Sequence, residues 1–159
     1  MKLTTRGQYG LLAMYDLARH DRAPVSIKAI SQRQGISDAY LEQLMASLKK
    51  AGLVRSTRGA QGGYQLAKNP METSIGEILL ALEGSLTITD CVDNPRCDDP
   101  VRCPSRPVFA RIQNSIDEVL NTITLQDMLN GVANPEEMES VADDRACQAG
   151  KCVAREKTV

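Results

Sequence analysis

From Ser26 to Leu66 the chain alternates helix-length apolar periodicity with glycine stops, an order that few folds can satisfy. Ser26 is placed to cap a helix over residues 27–34, and Gly35 breaks it. Ser37 is placed to cap the next, over residues 38–51, where Leu41, Leu44, Met45 and Leu48 recur at i, i+3, i+4 and i+7 as one apolar face. Gly52 stops it. Two short helices joined by a tight Gly-containing turn predict a helix-turn-helix. Residues 53–57 and 64–67 then read as strands joined by the glycine-rich tip Arg58-Gly59-Ala60-Gln61-Gly62-Gly63. A helix-turn-helix followed by such a hairpin is a winged helix, so the chain is expected to be mainly α with a small β-hairpin wing. The tip glycines also have a purely conformational reading, because hairpin tips need positive-φ residues whatever they touch.

Flanking segments complete the plan. A first helix over residues 5–19 carries Leu11, Leu12, Met14, Tyr15 and Leu17 and is expected to be largely buried. Ser74 and Glu77 form a capping-box pair opening a helix over 75–83, expected to pack on the first helix through Ile78, Leu79 and Leu82. A long helix over 107–122 places Phe109, Ile112, Ile116, Val119 and Ile123 at alternating spacings of three and four. That seam suits a symmetric dimerisation helix, and a helix buried in its own domain has the same period. A short helix over 125–130, capped by Thr124, comes next, and residues 131–159 read as an acidic, flexible tail. The expected units are a DNA-binding region over 1–68, a cysteine loop with dimerisation helices over 69–130, and the tail.

Charge separates along the same boundary. Residues 1–68 hold eleven Lys/Arg against four Asp/Glu, a balance of +7, while 69–159 carry −8, leaving a net charge of −1. A basic front half is what a phosphate-contacting module needs, although a solvated basic face has the same composition. Aromatic residues at 3% disfavour base stacking on single strands. Opposite the Leu41/Leu44/Leu48 stripe, the predicted second helix of the motif presents Ala39, Glu42, Gln43, Ala46 and Lys50. The two alanines let the helix seat deeply, Gln43 suits adenine, and Glu42 suits the cytosine amino group while repelling sequences that offer no donor. An exposed helix glutamate otherwise needs no explanation, and it is the wing that gives this one a reading. Arg58 at the wing tip suits a narrow minor groove.

Cys91, Cys97 and Cys103 recur with five residues between neighbours, in a stretch rich in proline and charge that has little to bury. Thiolates at that density suit an iron-sulfur cluster or zinc, and the absence of C-x2-C pairing and of a histidine partner weighs against a common zinc finger. No segment of signal-peptide type and no bilayer-spanning run is evident, so a cytoplasmic location without membrane contact is expected, where thiols serve as ligands or redox groups rather than disulfides. A single histidine, no phosphate loop and no nucleophile with a recognisable base argue against an enzyme.

These motifs together resemble the IscR-type winged-helix regulators that sense iron-sulfur clusters. The resemblance rests on the opening Met-Lys-Leu-Thr-Thr-Arg-Gly-Gln-Tyr-Gly, Ile-Ser-Gln-Arg-Gln-Gly-Ile-Ser before Tyr40-Leu41-Glu42-Gln43-Leu44, Gly52-Leu53-Val54, Arg58-Gly59 with Gly62-Gly63-Tyr64, and the three spaced cysteines, and it covers about residues 1–130. It implies a homodimeric repressor or activator on a pseudo-palindromic promoter in double-stranded DNA. It also implies one cluster per subunit, [2Fe-2S] first and [4Fe-4S] as the other type, held by Cys91, Cys97 and Cys103. DNA contacts are implied at Tyr40, Glu42, Gln43 and Arg58, with Gly62 and Gly63 of the wing. Where the family pattern has a histidine three residues after the last cysteine, this chain has Arg106, which cannot readily ligate iron. The fourth ligand stays open among Asp90, Asp98, Asp99, His20, Cys147 and Cys152. The first-helix acidic residue that some relatives use is Gln8 here. His20 also has a simpler role at a helix C-terminus. Cys147 and Cys152 can resolve an oxidised thiol, complete a cluster or do neither. Two alternatives stand beside the cluster regulator: a winged-helix repressor sensing thiol oxidation or a small metabolite, and a small electron-transfer or iron-sulfur carrier protein.

Overall fold

A computed structural model describes residues 3–59, 61–89 and 103–131. Helix α1 (Thr5–Arg19) is followed by α2 (Ile27–Gln34), α3 (Asp38–Lys50), the antiparallel hairpin β1 (Val54–Thr57) and β2 (Gly63–Leu66), a short 3-10 turn at Pro70–Glu72, and α4 (Ile75–Glu83). After the cysteine stretch come α5 (Arg106–Thr122) and α6 (Leu125–Asn130). The expected fold, mainly helical with a two-stranded wing, is the fold found. Cys91, Cys97 and all of the expected acidic tail beyond Gly131 lie outside the described residues.

Local chemistry accounts for the element ends. Thr4 caps α1 by accepting from the Arg6 N–H, and the Ser26 hydroxyl accepts from the Ala29 N–H at the start of α2. Gly35 adopts φ 67° after α2, a conformation that favours glycine and lets the chain turn sharply into α3. Ser37 occupies the cap position of α3, but its side chain makes no capping hydrogen bond. The expected capping box of Ser74 with Glu77 is present, and the expected Thr124 cap proves to be part of a second box with Asp127. The hairpin pairs Val54 with Leu66 and Thr57 with Gly63, so each strand lies within one residue of its expected span. A reciprocal pair of hydrogen bonds between Val25 and Tyr64 fastens β2 to the chain entering α2.

One core joins the basic front half to the rest. Leu41, Leu44, Met45 and Leu48 of α3 are buried against Met14 and Leu17 of α1, together with Ile78 and Leu82 of α4 and Leu125 of α6. Each such side chain contributes about 1.5–3 kcal/mol as an upper bound. The α1–α4 contact is close because a side chain on Gly7 would press on Glu83 and one on Gly10 would collide with Leu82. Glu83 exploits that proximity: its Oε1 accepts from the Thr4 hydroxyl at 2.6 Å, the Gly7 N–H at 2.8 Å and the Thr4 N–H at 3.1 Å. The Thr4 hydroxyl bond is the main cause that holds the Glu83 carboxyl below its usual range, with the two N–H bonds assisting against burial. A carboxylate from the end of α4 therefore closes the start of α1.

Candidate DNA-reading face and cysteine site

The amphipathic split of α3 places its polar face outward. Ala39, Glu42, Gln43, Ala46 and Lys50 are all exposed, and Tyr40 is half-buried at the first turn of the helix. The Tyr40 ring meets that of Tyr9 on α1 edge to face, with centroids 6.0 Å apart and planes at 81°. Two hydrogen bonds absent from the sequence reading brace this face. Arg6 Nη2 donates to the Ser47 hydroxyl at 2.6 Å, tying α1 to α3, and Lys49 Nζ donates to the Ser56 hydroxyl at 2.6 Å, tying α3 to β1. Arg58 is exposed just beyond β1. Gly62 and Gly63 have steric reasons of their own. A side chain on Gly62 would strike the Thr57 carbonyl, and one on Gly63 would strike the Val25 carbonyl that holds β2 in place.

The pitch of the motif is set from within. Asp16 of α1 is 2% exposed and receives Arg33 of α2 through both oxygens, Nε to Oδ1 at 2.9 Å and Nη2 to Oδ2 at 2.7 Å. Gln34 adds a third bond at 3.2 Å. Burial pushes the Asp16 carboxyl up, but these hydrogen bonds together with the charges of Arg33 and His20 outweigh it and leave the group below its ordinary value. His20 caps α1, its Nδ1 2.8 Å from the Asp16 carbonyl oxygen, which fits the helix-terminal role. Sequence gave no sign of the Asp16–Arg33 pair, since the two residues lie on different helices.

Of the three spaced cysteines, only Cys103 falls among the described residues, immediately ahead of α5. Its Sγ lies 3.1 Å from the Ser105 hydroxyl. That hydroxyl is the leading cause of a lowered Cys103 pKa, and the N–H groups of Arg106 and Ser105 at the helix start reinforce it. A lowered thiol pKa eases loss of the proton that coordination of iron or zinc requires, so Cys103 is compatible with a metal-ligand role. Arg106 beside it is half-buried and offers no lone pair, so it does not fit as the fourth ligand. Among the described residues no cluster of three His, Cys, Asp or Glu side chains is assembled. Asp90, Asp98, Asp99, Cys147 and Cys152 lie outside them, and His20 is engaged at the end of α1.

Helix α5 itself is underburied. The one buried residue in its seventeen is polar, Gln113, while Val108, Ile112 and Val119 are 57%, 43% and 53% exposed. The exposed stripe includes Val108, which the expected seam omitted, and Phe109 of that seam is half-buried. Among the described residues no helix is long and apolar enough to cross a membrane.

Comparison with known proteins assigns this architecture. Residues 3–131 match the model of the Rrf2 family, described as an iron-dependent transcriptional regulator. The chain is 40% identical over 144 residues to the HTH-type transcriptional regulator IscR of Pectobacterium atrosepticum, covering 90% of this chain and 85% of that protein. Among solved structures, T. potens IscR is 44% identical with a TM-score of 0.67, over 87% of this chain and 96% of the other. CymR, the global cysteine regulator of B. subtilis, is 36% identical with a TM-score of 0.71, over 84% and 99%. The chain therefore belongs to the Rrf2 family of winged-helix transcriptional regulators, which are DNA-binding regulators rather than enzymes.

Proposed function

We propose that the protein is a homodimeric regulator that binds a pseudo-palindromic promoter with an affinity set by an iron-sulfur cluster on Cys91, Cys97 and Cys103. The observation that carries this reading is on α5. One end of the helix carries the Cys103 thiol, whose pKa the Ser105 hydroxyl and the helix-start N–H groups lower, and its flank leaves an apolar stripe without a partner among the described residues. A second copy of α5 is the occupant that buries the stripe symmetrically. Two-fold symmetry then presents two α3 helices to two half-sites, with Glu42 and Gln43 reading bases, Tyr40 and Arg58 adding contacts, and Gly62 and Gly63 shaping the wing. The cluster, [2Fe-2S] in this reading, supplies the crosslinks that a proline-rich, apolar-poor stretch cannot supply by packing. The likeness to a cysteine regulator, together with an arginine at position 106, favours one second reading, in which the same thiols respond to oxidation or to a small thiol metabolite.

Anaerobic isolation of the wild-type protein and of Cys97→Ala separates the two. The cluster reading expects a coloured wild-type protein containing iron and sulfide, and a bleached variant. A colourless, iron-free wild-type protein whose DNA binding changes with thiol oxidation supports the second reading instead.

A further inference from the structure

Gln113 lies in the middle of α5 at 5% exposure and outside the apolar core. A buried carboxamide left without partners is destabilising, so its bonds explain its place. Oε1 accepts from the Ile88 N–H at 2.9 Å. Nε2 donates to Asp117 Oδ1 at 2.8 Å and, at a longer 3.5 Å, to the Leu86 carbonyl. These bonds fasten the segment Leu86–Ile88 to the flank of α5, beside a crease that Leu80 of α4 and Leu120 of α5 help to line. The clamp joins parts distant in sequence.

Its position along the chain gives it a role. Ile88 stands three residues before Cys91, and Cys103 stands three residues before Arg106, where α5 begins. Helix α5 therefore holds the chain on both sides of the cysteine-bearing stretch, by the Gln113 side chain on the leading side and by its own N-terminus on the trailing side. We infer that Gln113 is a positioning residue that ties the leading side of the cysteine stretch to α5, coupling occupancy of the thiols to the placement of that helix. The inference rests on the cluster reading above. A bound group shifts a conformational equilibrium only through contacts that differ between the two states, and this tether carries such a difference from the thiols to α5. By linkage, DNA that favours one placement of α5 strengthens retention of the group by the same factor.

The test compares wild-type protein with Gln113→Met, which keeps the length and volume of the side chain and removes all three bonds. In stripped protein, hydrogen exchange at the Ile88 amide is expected to rise at least tenfold, with helical content unchanged. The ratio of operator Kd values between stripped and cluster-loaded protein, at least tenfold in either direction for wild type, is expected to fall within twofold of one. The double variant Gln113→Glu/Asp117→Asn replaces the Ile88 bond with one to the introduced carboxylate, which also accepts from the new carboxamide at 117, and should restore most of the ratio. If Gln113→Met does not fold, Gln113→Glu, whose carboxylate confronts that of Asp117, is compared with the double variant in its place. Unchanged Ile88 exchange overturns the inference, as does faster exchange with an unchanged ratio. An iron-free wild-type protein overturns the cluster reading and this inference together, whereas a loaded wild-type protein whose ratio survives Gln113→Met overturns the inference alone.

Discussion

Replacing Arg33 with methionine tests how the helix-turn-helix is held at its angle. The substitution removes two hydrogen bonds, 2.9 and 2.7 Å long, from a carboxylate that is 2% exposed, leaving Gln34 at 3.2 Å as the remaining side-chain donor and His20 Nδ1 3.9 Å away. Hydrogen bonds to a charged group contribute about 1.5–3 kcal/mol. The Arg33 side chain is 37% exposed, so solvent screens its charge and the lower part of that range applies, roughly 1.5–2 kcal/mol. The loss also depends on pH. Burial raises the Asp16 pKa, but Arg33 and Gln34 more than reverse that, so the folded pKa lies below the unfolded one. A depressed carboxyl pKa contributes stability that is present above the unfolded value, about 3.9, and is lost as pH falls through the folded value. The gap between wild type and Arg33→Met is therefore complete at pH 7, narrows below about pH 4 and closes once Asp16 is protonated. Urea unfolding at fixed protein concentration, with an unchanged m-value, measures it. Arg33→Met/Asp16→Asn removes the stranded charge and should recover at least half of the loss. A gap that is the same at pH 3 and pH 7, or below about 0.5 kcal/mol at pH 7, refutes the assignment.

Three further outcomes bear on DNA. Glu42→Ala should broaden base preference while nearly preserving affinity for the best sequence, and selection from a randomised duplex pool checks it; a uniform loss across sequences contradicts a discriminating carboxylate. Arg58→Ala should weaken binding and lower the slope of log Kd against log salt by about one per subunit, read by titration at several salt concentrations. Ile112→Glu, which places a charge on the exposed stripe of α5, should yield monomers in sedimentation and reduce affinity for a two-half-site operator at least tenfold, with single half-site binding retained.

The winged helix was legible because its signals are local. Ser26, Gly35, the Leu41/Leu44/Met45/Leu48 period and Gly52 each act within a turn or two of themselves, and the structure places α2 and α3 where those residues put them. Hairpin ends shifted by one residue, and the 3-10 turn at Pro70–Glu72 carried no periodic signal. What stayed hidden was long-range polar pairing. Glu83 closes the start of α1 from 79 positions away, Asp16 meets Arg33, and Gln113 reaches back to Ile88, none of which leaves a mark on hydrophobic periodicity. The repeated glycines of the opening motif were visible, but their purpose was not. Gly7 and Gly10 let α1 and α4 approach, a fact that belongs to the pair of helices rather than to either sequence. For the cysteines, spacing alone singled out the set, and the structure adds the environment of Cys103.

Sensing on this account is mechanical: an iron-sulfur cluster fixes the stretch ahead of α5, α5 sets the separation of two reading helices, and that separation sets the grip on DNA. Operator affinity of one anaerobic preparation, measured with its cluster intact and again after the cluster is stripped, tests this most directly. The account predicts Kd values that differ at least tenfold and reconverge when the cluster is rebuilt. Equal affinities in the two states, for a protein that demonstrably carried iron at the start, would contradict it.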